Sequence, residues 1–291
     1  MAATRSRTEN WKNCLTQIAD KGGSLEIAVK VDHLLNPGSD LIWRVRLLTV
    51  EEKELVIEHP AFVGKSFKLS LNTELVVGMC VGQNRWMFAT RVIGARTVKL
   101  PSGRTVSGPV LSLPERVERC SRREFFRVST AEFMLPSVEI WPLTDPTGCG
   151  LAEAANRQAI TDAMTAVAAG GQPVAEASVV LPPVGPKFSA RLLNVSGGGM
   201  GLIFTPDQTA RLERQTHFWL RVLLKPHVPV ALALIAKRVH THMDASQNIY
   251  GGFTFDFTFS PEHQKFVSEL LGRYVELVET QQRAARARQA A

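Results

Sequence analysis

Phe188-Ser189-Ala190-Arg191-Leu192-Leu193-Asn194-Val195-Ser196-Gly197-Gly198-Gly199-Met200-Gly201-Leu202-Ile203-Phe204 decides how the second half of this chain folds. Phe188–Val195 reads as a strand whose end, with Leu192, Leu193 and Val195, is apolar enough to be buried. Asn194 and Ser196 alternate with those residues and share one face, because strand side chains repeat every two residues. Gly197, Gly198 and Gly199 let the backbone turn and let a ligand approach closely. Leu202-Ile203-Phe204 then runs on as apolar strand to Pro206. A dinucleotide-binding glycine loop needs a helix at this point, so Gly197-x-Gly199-x-Gly201 is not one. A Walker-type phosphate loop fails as well, since no Gly-Lys-Ser/Thr follows the bend.

Further short strands surround this stretch. Phe125–Ser129, Ser137–Trp141, Gly201–Phe204, Phe218–Leu224, Val228–Val239 and Tyr250–Phe259 are apolar or alternating runs separated by turn residues, which predicts an antiparallel barrel. Residues 143–186 interrupt it. Their alanine-rich Leu151–Ala169 predicts a helix inside an insertion with Gly- and Pro-rich flanks, either a docking element or a solvated excursion. Ser260 as N-cap and Pro261 in the first helical position open a terminal helix, with Phe266, Leu270, Tyr274 and Leu277 as its apolar stripe. After Glu279 the tail holds Arg283, Arg286 and Arg288 and no acid, so residues 281–291 are expected to be a frayed, solvated basic tail.

The first half is a separate β-rich block, residues 1–110. A short amphipathic helix over residues 8–20 carries Trp11, Leu15 and Ile18. Leu41–Val50, Glu54–Glu58, Glu74–Val81 and Arg85–Ile93 read as strands, with Gly82-Gln83-Asn84 as a hairpin turn. Trp43 and Trp86 fall within strand patterns and are read as core. The fold class is thus mainly β, two small barrels, the second with an insertion and a C-terminal helix. Between the barrels, residues 111–123 form a charged linker opened by Pro114.

That linker ends in Arg122-Arg123-Glu124-Phe125-Phe126-Arg127. A guanidinium grips a phosphate, or the O6 and N7 edge of guanine, with two parallel hydrogen bonds, and its flat face stacks on a base. Phe125, Phe126 and Val128 anchor the strand that carries Arg127. Asn194 faces these arginines without repelling a phosphate, and Ser196 adds a hydroxyl.

Arg123-x-x-x-Arg127 followed by Asn194-x-Ser196-x-x-Gly199 on a β-barrel resembles the PilZ domain, the cyclic di-GMP receptor module, with Arg122 as its common extra arginine. Ile249-Tyr250-Gly251-Gly252-Phe253-Thr254-Phe255, then Ser260-Pro261 and the terminal helix, resemble the end of that barrel. The likeness covers about residues 120–280. A β-rich first domain, a charged linker and then this barrel resembles the flagellar brake proteins of the YcgR type. The resemblance implies a non-enzymatic cytoplasmic sensor with cyclic di-GMP as ligand and no cofactor. Arg122, Arg123, Arg127, Asn194, Ser196, Gly197, Gly198 and Gly199 form its site. Ligand orders the linker and reorients the barrels, and the flagellar motor or switch proteins are the partners. Homo-oligomerisation stays open. Two departures stand out: the 143–186 insertion is long for the family, and Lys237-Arg238-Val239-His240 lacks the aromatic that many relatives place near the ligand.

Composition sets the outer limits. The 291 residues carry 34 Lys and Arg against 27 Asp and Glu, a formal charge of +7 that favours an anionic partner. Nucleic acid is the rival to a nucleotide, and an output in exopolysaccharide or adhesion control is the rival to motility. No apolar run is long enough to span a membrane. Cys14, Cys80, Cys120 and Cys149 are too scattered for a disulfide framework. His240-Thr241-His242 has no Cys, Asp or Glu cluster beside it to make a metal site, and no catalytic triad or carboxylate pair is legible.

Overall fold

Alternating strands of this length must either expose their edges or close on themselves, and here both halves close. The computed structural model describes residues 11–30, 40–81, 84–114, 117–120, 134–171, 180–208, 212, 214–243 and 247–290. In chain order the first half holds α1 (Trp11–Asp20), β1 (Ser24–Val29), β2 (Trp43–Val50), β3 (Glu54–Ile57), β4 (Ala61–Phe62), β5 (Lys65–Ser66), β6 (Glu74–Val81), β7 (Asn84–Lys99), β8 (Thr105–Ser112) and β9 (Glu118–Cys120). The second half holds β10 (Ser137–Leu143), α2 (Gly150–Ala168), β11 (Phe188–Val195), β12 (Gly199–Phe204), β13 (His217–Val222), β14 (Leu232–Met243), β15 (Ile249–Phe255) and α3 (Pro261–Ala290).

Strand pairing gives two antiparallel rings. The first runs β1-β6-β7-β8-β3-β2 and closes through β1–β2. The second runs β11-β10-β13-β14-β15-β12 and closes through β11–β12. A single parallel pair, Val195 with Trp43, joins them. The molecule is mainly β, as the strand patterns predict. Trp43 and Trp86 are buried, and so are Leu15 and Ile18 of α1. A T-shaped aromatic contact of Phe218 with Phe253, at 5.7 Å, lies in the core of the second ring.

Several elements escaped the sequence reading. β8, which the strand patterns did not include, contains Gly108 and Pro109, and a Cβ at Gly108 would run into the carbonyl oxygen of Ile57. The glycine is there for close strand approach, not for a turn. The stretch read as linker is partly strand: Leu111 and Ser112 belong to β8, and β9 pairs with β7 through Cys120 and Arg85. Asn84, assigned to the hairpin turn, pairs with Val81 and opens β7. The expected strand Phe125–Ser129 lies outside the described residues.

The insertion docks on its own barrel. Ala152, Ile160 and Ala163 of α2 are buried. Asn156 donates to the Ala231 carbonyl at 2.8 Å and accepts from the Ala233 N–H at 2.9 Å, which pins the helix beside β14. Leu143 bridges to Val184 at the insertion's base.

α3 corrects the expectation for the tail. Gln264 N donates to Ser260 O, so Ser260 closes the first turn as predicted. Leu277 is 41% exposed, and the neighbouring Val278 takes its place in the buried stripe. The helix then continues to Ala290 without fraying at Glu279. Its second half is held by the first barrel. Buried Glu279 accepts from Ser70 N at 2.8 Å, Ser70 Oγ at 2.7 Å and Thr73 Oγ1 at 2.8 Å. Gln282 bridges the carbonyls of Lys30 and Glu74, and Arg286 donates to the Asn72 carbonyl. Bonds to a charged acceptor contribute more than neutral ones, and orphaned donors cost extra. Glu279→Ala should therefore lower unfolding stability by about 2–3 kcal/mol, read as a fall in the urea midpoint.

Candidate functional site

Asn194 and Ser196 stand where β11 meets the first barrel, and the bend after them is built by both barrels. Val195 N donates to Ile42 O, and Gly64 N, in the β4–β5 hairpin, donates to Gly197 O at 2.7 Å. Gly198 O accepts from Phe255 N at 3.1 Å and from Thr254 Oγ1 at 2.9 Å. Gly199 O accepts from Ser196 N at 2.9 Å, with Ser196 Oγ at 3.4 Å. With all three glycine carbonyls held, the bend has a fixed shape before any ligand arrives.

The sequence explains why. A register shift between Leu192 and Asn194 places Asn194 opposite Gly201. A Cβ at Gly201 would lie 2.8 Å from Asn194 Oδ1, so glycine makes room for the amide. The amide's Nδ2 donates to Glu26 Oε1 of β1 at 2.9 Å, a contact between barrels.

These residues open on a cleft of about 620 Å³. Asn194, Ser196, Gly198 and Gly199 line it, and the first barrel contributes Glu26, Arg44 and Cys80. Its volume is within the range of about 300–1,000 Å³ that small-molecule sites occupy. Of the site residues expected from sequence, the structure brings together Asn194, Ser196, Gly198 and Gly199, with Gly197 tied to the β4–β5 hairpin behind them. Arg122, Arg123 and Arg127 lie outside the described residues.

Aromatic surface is present after all. His240 and His242 project into the cleft from β14, and Tyr250 from β15. The His242 ring stacks on Tyr250 at 5.1 Å between centroids, and His240 stacks nearly parallel to His242 at 6.2 Å. Gly252 is the seat for this arrangement, since a Cβ there would overlap the His240 ring. The alternating His240 and His242 that suggested a weak metal site thus join Tyr250 in a wall of stacked π rings. Among the described residues no group of three His, Cys, Asp or Glu is placed to hold a metal ion.

The titratable groups displaced by burial do not line this cleft. Burial pushes the Cys149 thiol up to about 12, and burial lowers His263. Cys149 packs among Trp141, Leu143 and Trp219, and His263 bonds the Ala233 carbonyl. They are packing groups beneath α2 and α3. Glu26, Arg44 and Cys80 were the residues the sequence reading missed. Ser24–Val29 was not recognised as a strand, and nothing local links it to Asn194 across 168 positions. Gly64-Lys65-Ser66 does carry the end of a Walker pattern, but His59 stands where its first glycine belongs and the segment is a short hairpin.

All three first-barrel contributors fall within one matched segment. Residues 22–102 match the family model PilZNR, described as flagellar protein YcgR. The chain resembles the YcgR-type PilZ proteins. The YcgR-type match covers β1 through β7, the strands that carry Glu26, Arg44 and Cys80 into the cleft. Solved structures similar to the chain include the Bacillus subtilis inhibitor of motility MotI/DgrA, at 14% identity, covering 88% of this chain and 97% of that one, with a TM-score of 0.30. Escherichia coli YcgR in complex with c-di-GMP aligns at 11% identity over 96% and 92%, TM-score 0.26. MrkH of K. pneumonia in its apo state aligns at 11% identity over 94% of each chain, TM-score 0.30. A comparison with curated protein sequences finds no match. Among the described residues, no helix is long and apolar enough to cross a membrane.

Proposed function

We propose that the chain is a cyclic di-GMP sensor that acts by binding rather than by catalysis. The observation that carries this reading is the cleft itself. The Asn194-x-Ser196-x-x-Gly199 motif opens towards the barrel that bears the YcgR-type match, and the two share one cavity. Asn194, Ser196 and the glycine bend form one wall. Arg122, Arg123 and Arg127 clamp the phosphates and guanine edges from the other side.

Chain reach supports that assignment. Cys80, which lines the cleft, pairs with Arg85, and Arg85 pairs with Cys120. Two strand spacings separate Cys80 from Cys120, about 10 Å. Arg122 and Arg123 follow Cys120 by two and three residues, at most about 7–11 Å of chain, and a long side chain covers the rest. The π wall of His240, His242 and Tyr250 offers a purine a stacking surface.

A ligand seated there touches both barrels and the segment that joins them. It shifts their arrangement only through contacts made in one arrangement and not the other. Domain reorientation through residues 111–123 is the output we propose, acting on flagellar motility in keeping with the YcgR-type match. Calorimetric titration with cyclic di-GMP should give saturable binding, and GTP as control should give none. Deletion of the gene should restore swimming at raised cyclic di-GMP. Unchanged swimming with intact binding would move the output to exopolysaccharide or adhesion control. Binding to DNA or RNA that falls steeply with salt, with no response to cyclic di-GMP, would replace the sensor reading with a basic nucleic-acid-binding one.

A further inference from the structure

A carboxylate in the wall of a cleft meant for a phosphodiester ligand calls for an explanation. Glu26 lines that cleft, half-buried on β1, in register with Arg44 of β2. Its Oε1 accepts from Asn194 Nδ2 at 2.9 Å. Facing a phosphate, such a group repels the ligand. Facing a donor edge, it does the opposite.

We propose that Glu26 reads guanine in this cleft, its carboxylate accepting from N1–H and the 2-amino group of one base while Asn194 holds it in place. The inference rests on the reading of the cleft as a cyclic di-GMP site. A carboxylate offers about four lone-pair sites, so it can accept from a base while it accepts from Asn194. The Watson–Crick edge of guanine presents two neighbouring donors, which match two carboxylate oxygens. Adenine presents one donor beside the N1 lone pair, and that lone pair would meet the carboxylate with repulsion. Asn at position 194 is part of the device, because an aspartate there would set two carboxylates against each other. Arg44, across the strand pair, offsets the negative charge for an anionic ligand.

The test is calorimetry on the full chain with three ligands: cyclic di-GMP, its inosine analogue lacking both 2-amino groups, and cyclic di-AMP. A paired donor and acceptor of this kind discriminates by about 10–100-fold. The wild-type protein should prefer cyclic di-GMP over the inosine dinucleotide by about 10-fold or more, and over cyclic di-AMP by about 100-fold or more. Glu26→Ala should weaken cyclic di-GMP by about 10–100-fold and the inosine dinucleotide, which keeps N1–H but lacks the 2-amino donor, by less. The guanine-to-inosine ratio then falls towards one. Glu26→Gln keeps the shape and one acceptor, and its ratio should lie between the two, a control that does not depend on tolerance of the alanine. An unchanged ratio in both variants overturns the role of Glu26 while leaving the site intact. Absence of cyclic di-GMP binding by the wild-type protein overturns the site and this inference together.

Discussion

Arg123→Ala and Arg127→Ala should each lose at least about 100-fold in affinity for cyclic di-GMP, while the urea unfolding midpoint should stay at its wild-type value. A charge-assisted hydrogen bond is worth about 1.5–3 kcal/mol, and a guanidinium on a phosphate or guanine edge makes two. Loss of one such pair therefore exceeds the 1.4 kcal/mol that separates tenfold steps in affinity. Stability should not follow, because guanidinium groups that grip a ligand contribute to the bound state and not to the core. Arg122→Ala should cost less, since a period-two reading of the sequence puts Arg122 out of phase with Arg123 and Arg127. Calorimetry and urea titration of the three variants decide the matter. Wild-type affinity in both Arg123→Ala and Arg127→Ala would remove the arginines from the site.

Those arginines stand out in sequence as candidates because their chemistry is local: three guanidinium groups within six residues. The glycine bend was legible for a similar reason, as Leu192-Leu193 and Leu202-Ile203-Phe204 bracket it with strand on both sides. The barrel-forming strands of the second half followed from period-two patterns, and Phe188–Val195 ends where its alternation ends. What sequence could not give was the partner wall. Glu26 and Asn194 are 168 residues apart, and their contact exists only because β1 and β11 are brought together by the Val195–Trp43 pair. The π wall was hidden differently. Alternating histidines read as a weak metal pattern until β15 supplies Tyr250 and Gly252 beside them. The tail was misread because Gln282 and Arg286 look solvated in one dimension. In three dimensions Glu74 at the start of β6 and Asn72 in the turn before it give them carbonyls to bind, and the helix extends to reach them.

Gly199→Ala tests the bend from the side of stability, and its effect should be large. Gly199 pairs with Thr254 where β12 meets β15, and a Cβ on it would overlap the carbonyl oxygen of Phe253. Backbone on a closed ring cannot yield as the tip of a side chain can. Relief requires β12 to part from β15, and that pairing spans six residue pairs from Gly199–Thr254 to Phe204–Ile249. The same shift pulls Gly199 O from Ser196 N, which loosens the motif itself. We expect a loss of about 3 kcal/mol or more, at the upper end for a small-to-large change. Gly198→Ala is the internal comparison. Its Cβ would meet nothing within 4 Å, and its backbone is not in the left-handed region, so stability should change by no more than about 0.5 kcal/mol. Gly198 nevertheless lines the cleft, and the added methyl stands where a ligand must come close. Urea unfolding should separate the two variants widely, and calorimetry should show weakened cyclic di-GMP binding in the stable Gly198→Ala protein. Equal stability of the two variants would mean that the β12–β15 approach is looser than the glycine implies. Full-strength binding by Gly198→Ala would mean that the ligand does not rest on the bend.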